Sequence, residues 1–242
     1  MSTLTMLLAA PLQAWGASAR FARRTTESAP TKSGVIGMLA AAKGMKRDDN
    51  TTLTALAELR FGVRIDQPGT QLRDYQTAQH QVTKKSMPVS ERFYLADAVF
   101  VAAVEGETTL LSELDAALRA PIYPPYLGRR SCPPARPIRL SLHQDTDLAQ
   151  ALRTEPWQAS GWYRRQQHRQ ATVTLNLLRE ALPHEHSSHA PRDQPLSFAA
   201  EHRQYALRRV ITETTRVHNP DSTANRPDVP EHDPFAAVEE TA

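Results

Sequence analysis

The chain has 242 residues, 40% of them hydrophobic, which suits one large domain or two small ones. Its formal net charge of +3 is unevenly distributed: residues 1–216 hold 28 Lys and Arg against 20 Asp and Glu, whereas residues 217–242 hold one Arg against six acidic residues. A basic body favours a polyanionic partner such as nucleic acid, although charge that only keeps a protein soluble gives the same surplus.

The cysteine count and the N-terminus exclude further classes. With Cys132 as its one cysteine, the chain has neither an intrachain disulfide framework nor a structural zinc site built on cysteines, which agrees with a cytoplasmic protein. The first residues lack a basic region and their apolar run ends at Pro11, so neither a signal peptide nor a membrane span is expected.

The first part of the chain predicts an alternation of strands and helices. The expected elements are a buried strand at residues 3–10, a capped helix at 30–44, a second helix at 51–59 and a half-buried strand at 61–66. Residues 72–92 are polar and poor in core residues, but strand-like sequence adjoins both ends. We therefore expect a projecting β-hairpin or a long loop there.

The remaining elements suggest a smaller C-terminal region. They are a strand at 93–104, a helix at 110–118, a strand at 138–142, a helical turn at 147–152 and strands at 172–178 and 205–212. From residue 217 onward, prolines and acidic residues replace large apolar ones, which predicts disorder. The predicted organisation is a domain at 1–140, a β-rich region at 141–216 and an acidic tail at 217–242.

Two stretches have the composition of anion-binding sites. The start of the helix at 30–44 combines Lys32, hydroxyl groups and free backbone N–H groups, which together favour negative charge. The loop at 121–134 has two tyrosines before Gly128 and two arginines after it, a combination suited to phosphates and bases. The alternatives are an ordinary capped core helix and a proline-stiffened surface loop with solvated arginines.

A third stretch interleaves charge with aromatic residues. Arg20, Phe21, Arg23 and Arg24 suit a surface that follows a nucleic-acid backbone, and Trp15 before them either stacks on a base or plugs the core. Residues 157–170 are also basic, but we assign them no role from the sequence.

No metal or cofactor site is predicted. His184, His186 and His189 share one loop, but no carboxylate–histidine helix motif surrounds them. The chain contains no Walker-type or dinucleotide-binding glycine loop, so no cofactor is expected.

Several motifs, taken together and in order, resemble a known family. They are PLQAWG at 11–16, PTKSG at 30–34, KRDD at 46–49, LRDYQT at 72–77, FYLADA at 93–98, YLGRRSCP at 126–133 and RDQP at 192–195. These motifs are similar to those of the type I-E Cas-five family, whose members are subunits of the Cascade CRISPR surveillance complex. The resemblance covers roughly residues 4–212 and leaves the acidic tail out.

The resemblance implies a fold and a set of partners. The fold is an α+β domain of the ferredoxin-like, RNA-recognition type (the RAMP superfamily), an order of elements that the predicted strands and helices also follow. The implied function is non-catalytic: the subunit caps the 5′ handle of the mature CRISPR RNA (crRNA), contacts the adjacent backbone subunit through a thumb at about 72–92 and docks the large subunit that reads the PAM. Target DNA is met through the assembled complex, in the cytoplasm and without a membrane.

The resemblance also implies site residues. The expected RNA contacts are Gln13, Trp15, Arg20, Arg24, Lys32, Ser33, Arg73, Tyr75, Tyr126, Gly128, Arg129 and Arg130. Lys84, Lys85 and Arg92 belong to the thumb and are expected at the partner interface, although the two lysines suit an RNA backbone equally well.

The alternative function is metal-independent cleavage of CRISPR repeat RNA. Such cleavage needs a base for the 2′-OH, an acid for the leaving oxygen and a cation near the phosphate. Tyr75, His80 and either Lys84 or Lys85 have the side chains for these roles. Relatives often have His where this chain has Gln76, which weakens the case, and type I-E systems assign cleavage to a separate subunit.

Overall fold

A computed structural model describes residues 1–16 and 23–224 as a mixed α+β protein built on antiparallel sheets. The strands are β1 (Ser2–Ala9), β2 (Leu12–Gln13), β3 (Arg23–Arg24), β4 (Arg60–Gln67), β5 (Thr70–Gln76), β6 (Ser90–Ala96), β7 (Val99–Gly106), β8 (Arg139–His143), β9 (Thr172–Glu180), β10 (Gln194–Ser197), β11 (Gln204–Ala206) and β12 (Val210–His218). The helices are α1 (Lys32–Ala42), α2 (Asn50–Glu58), α3 (Thr108–Arg119), α4 (Leu148–Thr154) and α5 (Gly161–Gln166). None of the helices in these two ranges is long and apolar enough to cross a membrane.

The main sheet has six strands in the order β12-β9-β4-β7-β1-β8, and every neighbouring pair is antiparallel. Leu4, Met6 and Leu8 of β1 point to the core that α1 and α3 cover. On the opposite face, α4 packs against Val101 and Ala103 of β7. Because both faces of the central strands are covered, β1 is buried along its whole length and β7 along all but its last residue.

The smaller sheet contains the predicted hairpin. Strand β5 pairs with β6 over its whole length, from Thr70 opposite Ala96 to Gln76 opposite Ser90, and a bridge between Gln79 and Ser86 closes the connecting turn. Short strands β2 and β3 pair with β6 as well. Strand β2 therefore supports the base of the hairpin, at Leu95 and Ala96, and β3 supports it nearer the turn, at Glu91 and Arg92.

The predicted strand at 93–104 is two strands in two sheets. Asp97, with φ at 57°, turns the chain between β6 and β7, and its N–H donates to the Pro11 carbonyl at 3.0 Å. Asp is among the residues that tolerate this backbone conformation. The turn was missed because Asp97 is the one charged residue between the apolar residues of β6 and β7, and a single charged residue does not by itself end a strand.

The C-terminal region is β-rich, but its longest strands extend the main sheet. Strand β9 pairs with β4, and β12 pairs with β9 as far as His218 opposite Thr172. The predicted start of the tail at residue 217 is therefore wrong: Val217 and Asn219 are buried, and residues 217–224 belong to the folded body. The rest of the predicted tail, 225–242, lies outside the described residues.

The N-terminus of α1 is occupied by a carboxylate of the same chain. Asp193 accepts the backbone N–H of Lys32 at 2.8 Å, where the helix dipole favours negative charge. Arg208 donates to the same carboxylate through two nitrogens at 2.9 and 2.8 Å, and Lys32 Nζ lies 2.8 Å from Glu180 Oε1. This cluster joins α1 to β9 and to the chain around β10 and β11.

We expect Asp193→Ala to lower the free energy of unfolding by about 3–5 kcal/mol, because it leaves the Arg208 side chain, only 9% exposed, and the Lys32 N–H without their main acceptor. Urea unfolding of the full chain measures this. Asp48→Ala is the control, since Asp48 is exposed, and should change stability by no more than ~0.5 kcal/mol. Equal stability of the two variants would contradict a role for the cluster.

Candidate nucleic-acid interface

The hairpin presents two faces of different chemistry. Cross-strand partners point to the same face of a sheet, so Asp74, Arg92 and Tyr94 share one face with Arg24, which pairs with Arg92. We call this the loop face, because the loop at 126–132 packs on it. Arg23, Arg73, Tyr75, Glu91 and Phe93 form the opposite face, which we call the open face.

Arg129 connects the loop to the hairpin. Its guanidinium carbon lies 4.6 Å from the centroid of the buried Tyr94 ring, a cation–π contact, and its Nη2 donates to the Arg24 carbonyl at 2.8 Å. The loop itself is anchored because the Ala14 N–H donates to the Leu127 carbonyl at 3.1 Å. The contacts bring Arg24 and Arg129 into one cluster, with Arg92 beside them on the same face.

Two nitrogen atoms in this cluster lack an acceptor. Arg92 Nε and Arg129 Nη1 are enclosed by neighbouring atoms and have no hydrogen-bond partner within residues 1–16 and 23–224. An enclosed guanidinium nitrogen without an acceptor is costly, and the cost is removed when an anion or carbonyl supplies one. A phosphate suits the fork geometry of arginine.

The open face carries two cation–π pairs, one on the exposed ring of Tyr75 and one on the half-buried ring of Phe93. The Arg73 guanidinium lies 5.0 Å from the Tyr75 ring centroid, and the Arg23 guanidinium lies 5.3 Å from the Phe93 ring centroid. Arg23 also lies 3.8 Å from the Glu91 carboxylate. Exposed aromatic rings beside arginines are the surface that single-stranded nucleic acid uses for stacking.

The predicted RNA contacts thus divide into separate groups. Arg24 and Arg129 lie at the loop face, Arg73 and Tyr75 at the open face. Tyr126 and Arg130 are exposed on the loop. Arg20 lies outside the described residues. Ser33 is half-buried, with its Oγ 3.5 Å from Thr31 Oγ1, at the first turn of α1.

Three predicted contacts are core residues in the structure. Trp15 is 1% exposed and its ring packs over Gly34, so it plugs the core and offers no stacking surface. Gln13 is fully buried and donates to the carbonyls of Leu8 and Ala98, because a buried amide must be satisfied. These two assignments as RNA contacts are wrong on the geometry of the folded chain.

Lys32 is the third predicted RNA contact that the folded chain contradicts. Its side chain is 3% exposed and paired with Glu180. Burial lowers the pKa of Lys32, and the carboxylate of Glu180 opposes that shift. The sequence showed a cation at a helix start but not the anions, Asp193 and Glu180, that reach it from 161 and 148 residues away.

Sequence reasoning missed Tyr94 and Phe93 as parts of the interface, whereas it had placed Arg23 beside Arg24 on a surface that follows a nucleic-acid backbone. The alternation in β6 contained the relevant pattern, because Arg92 and Tyr94 fall on one face of a strand and Phe93 on the other. Arg92, assigned to the partner contact, shares the loop face with Arg24. Lys84 and Lys85 are exposed in the hairpin turn, where Lys84 has φ at 54°.

The residues of the alternative nuclease are placed as follows. Tyr75 is 54% exposed on β5, and His80 lies in the turn, where its Nδ1 accepts the Thr83 N–H at 3.1 Å. That nitrogen is engaged, and Nε2 is the ring atom left to act on a substrate. Across the part of the chain that is described, no three His, Cys, Asp or Glu side chains come together as a metal site.

The loop requires a residue without a Cβ at position 128. Its φ is 86°, and a Cβ there would lie 1.6 Å from the Ala14 carbonyl oxygen. We expect Gly128→Ala to destabilise the protein by at least about 1–3 kcal/mol, the cost of the strained φ alone, and to displace Arg129. Chemical unfolding measures the change.

Gly37→Ala is the matched control. Gly37 lies inside α1, and its Cβ would meet only the Phe198 ring at 3.7 and 3.8 Å, an ordinary contact. Alanine should stabilise the helix there by roughly 0.5–1 kcal/mol. A Gly128→Ala protein as stable as the parent would show that the loop adopts another conformation.

Comparisons with known proteins agree with the sequence motifs. The family described as CRISPR-associated protein (Cas_Cas5) matches residues 3–211. The chain is similar to the CRISPR system Cascade subunit CasD of Escherichia coli (strain K12), with 39% identity over 169 residues, which are 62% of this chain and 75% of the relative.

Solved structures show the same likeness. A chain of a CRISPR RNA-guided surveillance complex superposes with a TM-score of 0.71 and 31% identity, over 89% of this chain and 91% of that chain. A crystal structure of a Cas protein gives a TM-score of 0.67 and 34% identity, over 93% of this chain and 100% of that chain. The family resemblance is confirmed: the chain belongs to the CRISPR-associated Cas5 family.

Proposed function

We propose that this protein is a non-catalytic subunit of a type I-E Cascade complex in the cytoplasm. In this proposal it binds and caps the 5′ handle of the mature crRNA and contacts the adjacent backbone subunit through its hairpin thumb. It also docks the large PAM-reading subunit, so that the complex recognises foreign DNA in antiviral defence. Family membership and the similarity to a Cascade subunit support the assembly.

The observation that carries the RNA part is the pair of unsatisfied guanidinium nitrogens. Arg92 Nε and Arg129 Nη1 lie beside Arg24 on the loop face, enclosed but without an acceptor in the described chain. Once the groups that cover these nitrogens move aside, a phosphodiester would supply the missing acceptors, and charge-assisted bonds of this kind are the strong ones. The exposed Tyr126 and Arg130 on the adjoining loop would then contact neighbouring bases or phosphates.

The strand order supports a ferredoxin-like domain of the RNA-recognition type. Strands β4, β7, β1 and β8 lie side by side in that order, with α1 and α2 between β1 and β4 in the chain and α3 between β7 and β8. A βαββαβ unit with its first and third strands in the centre has this arrangement. Strands β9 and β12 would be an addition at one edge.

The hairpin turn supports a protein contact for the thumb. Val82, Met87 and Val89 are 83%, 58% and 58% exposed, and Lys84 and Lys85 lie among them. An exposed apolar cluster on a projecting element is typical of a surface that another protein covers. We assign this turn to the backbone subunit and the loop face to the RNA.

We expect Arg92→Gln with Arg129→Gln to weaken binding of handle-containing crRNA by about 1.5–3 kcal/mol for each lost charged hydrogen bond. Each such loss is about 10–100-fold in Kd. Filter binding with crRNA of the parental repeat measures this. Arg203→Gln with Arg216→Gln removes the same charge from two exposed sites on other elements and should have a small effect.

Equal loss in the two double variants would show that only net charge matters and would remove the loop face from the site. The same preparations test the alternative function. Incubation with repeat RNA, with and without EDTA, should leave the RNA intact. Specific cleavage at the handle boundary that His80→Ala abolishes would overturn the non-catalytic assignment.

Val82→Asp with Met87→Asp should abolish co-purification of the backbone subunit while leaving crRNA affinity unchanged, because charge is placed on the apolar surface that the partner covers. A pull-down of the tagged chain, followed by filter binding, measures both. Leu207→Asp changes an equally exposed leucine (61%) outside the hairpin and should retain the partner. If the hairpin variant still co-purifies with the backbone subunit, the contact with that subunit is not made by the hairpin turn.

A further inference from the structure

Helix α5 carries a basic and aromatic surface that the proposed function leaves unused. No Asp or Glu occurs from residue 156 to residue 179, a stretch that contains four arginines. Trp162 is 47% exposed, and Arg165 and Arg169 are exposed. We call these three residues the α5 patch. A large exposed indole beside unopposed positive charge favours a ligand that is both aromatic and anionic.

The helix separates this patch from the residues that anchor it. Tyr163 packs edge-on against buried Trp157, with 6.1 Å between ring centroids, and Arg164 Nε lies 3.1 Å from an Asp221 carboxylate oxygen. Trp162 and Arg165 are spaced i and i+3 on α5, which places them on one side of the helix, and Arg169 lies in the turn that follows the helix. Within the described ranges, neither the Arg165 nor the Arg169 guanidinium forms an ion pair or a hydrogen bond.

The patch is preorganised. The Trp162 ring lies edge-on to Tyr163, with 5.7 Å between centroids and 90° between planes. Arg165 Nη1 comes close to Gly161, 3.2 Å from where a Cβ would lie, so the guanidinium is folded back along the helix toward its first turn. An open cleft of about 530 Å³ adjoins it, between Arg165 and His168 on one side and residues 220–223 on the other.

The base of the hairpin lies next to this helix. Ser160, which precedes α5, donates to Gln67 Oε1 from its N–H at 3.1 Å and from its hydroxyl at 2.7 Å. Gln67 ends β4, three residues before the hairpin begins at Thr70. The start of α5 is therefore in contact with the strand end that leads into the hairpin.

We propose that the α5 patch binds single-stranded nucleic acid, by stacking an unpaired base on Trp162 and by phosphate contacts from Arg165 and Arg169. The competing occupant is the acidic segment at 225–242, which begins directly after the cleft. The indole favours nucleic acid, because every base has a face that stacks on it, whereas an acidic peptide uses the charges alone.

Tryptophan fluorescence of the full chain tests the proposal. Trp15 and Trp157 are 1% and 3% exposed, so quenching by a 15-nucleotide oligo-dT reports on Trp162. We expect salt-sensitive quenching, and a Kd at least about tenfold higher for Arg165→Glu with Arg169→Glu. For Arg165→Ala with Arg169→Ala, the slope of log Kd against log salt should fall by about 1.4, that is ~0.7 for each lost phosphate contact to a single strand.

Arg47→Glu with Arg203→Glu is the charge-matched control, since both arginines are exposed and lie outside the patch, and it should leave the quenching of Trp162 intact. Absence of quenching by oligo-dT, or an equal rise in Kd for the Arg47 and Arg203 variant, overturns the proposal. A variant that ends at Ala224 tests whether the acidic segment occupies the patch. If its Trp162 emission differs from that of the full chain while oligo-dT quenches neither, the segment occupies the patch and the proposal is wrong.

Discussion

The close approach of Gly128 to the Ala14 carbonyl is the constraint on which the interface depends. Only a residue without a Cβ fits there, because the φ of 86° and the space beneath the loop both exclude one. The approach holds the loop against the chain that enters β2, and Arg129 then reaches both Tyr94 and the Arg24 carbonyl. Without this contact, the loop arginines and the hairpin would not form one surface.

Charge in this protein falls into two kinds. Lys32, Asp193, Glu180 and Arg208 neutralise one another inside the fold and hold α1 to the C-terminal strands. Arg92 and Arg129 instead keep nitrogens that the described chain does not satisfy. The first kind sustains the architecture, and the second leaves free energy available for a ligand. Net charge and motif position do not distinguish the two kinds.

Much of the fold was predictable because its elements are written in local sequence. The apolar run of β1, the capped helix α1 and the leucine stripe of α3 were all expected near the residues where they lie. The hairpin was expected from a long polar stretch between strands. The turn at Asp97 and the extension of β12 to His218 were missed, since each depends on pairing with a distant strand. The site residues were harder to predict. Trp15 and Gln13 belong to the motif at 11–16, in which Ala14 contacts the loop, yet both side chains are buried in the core.

The sequence by itself determined the order of strands and helices, the basic body and, through its motifs, the family. Periodicity, capping residues and turn residues act over a few positions, so they can be read without the fold. Only the tertiary structure decided which cationic side chains are neutralised by carboxylates and which keep nitrogens without an acceptor in the described chain. The carboxylates that neutralise Lys32 come from distant parts of the chain, and the face on which Arg92 meets Arg24 and Arg129 follows from strand register. Burial and pairing across such distances arise only when the sheet has formed.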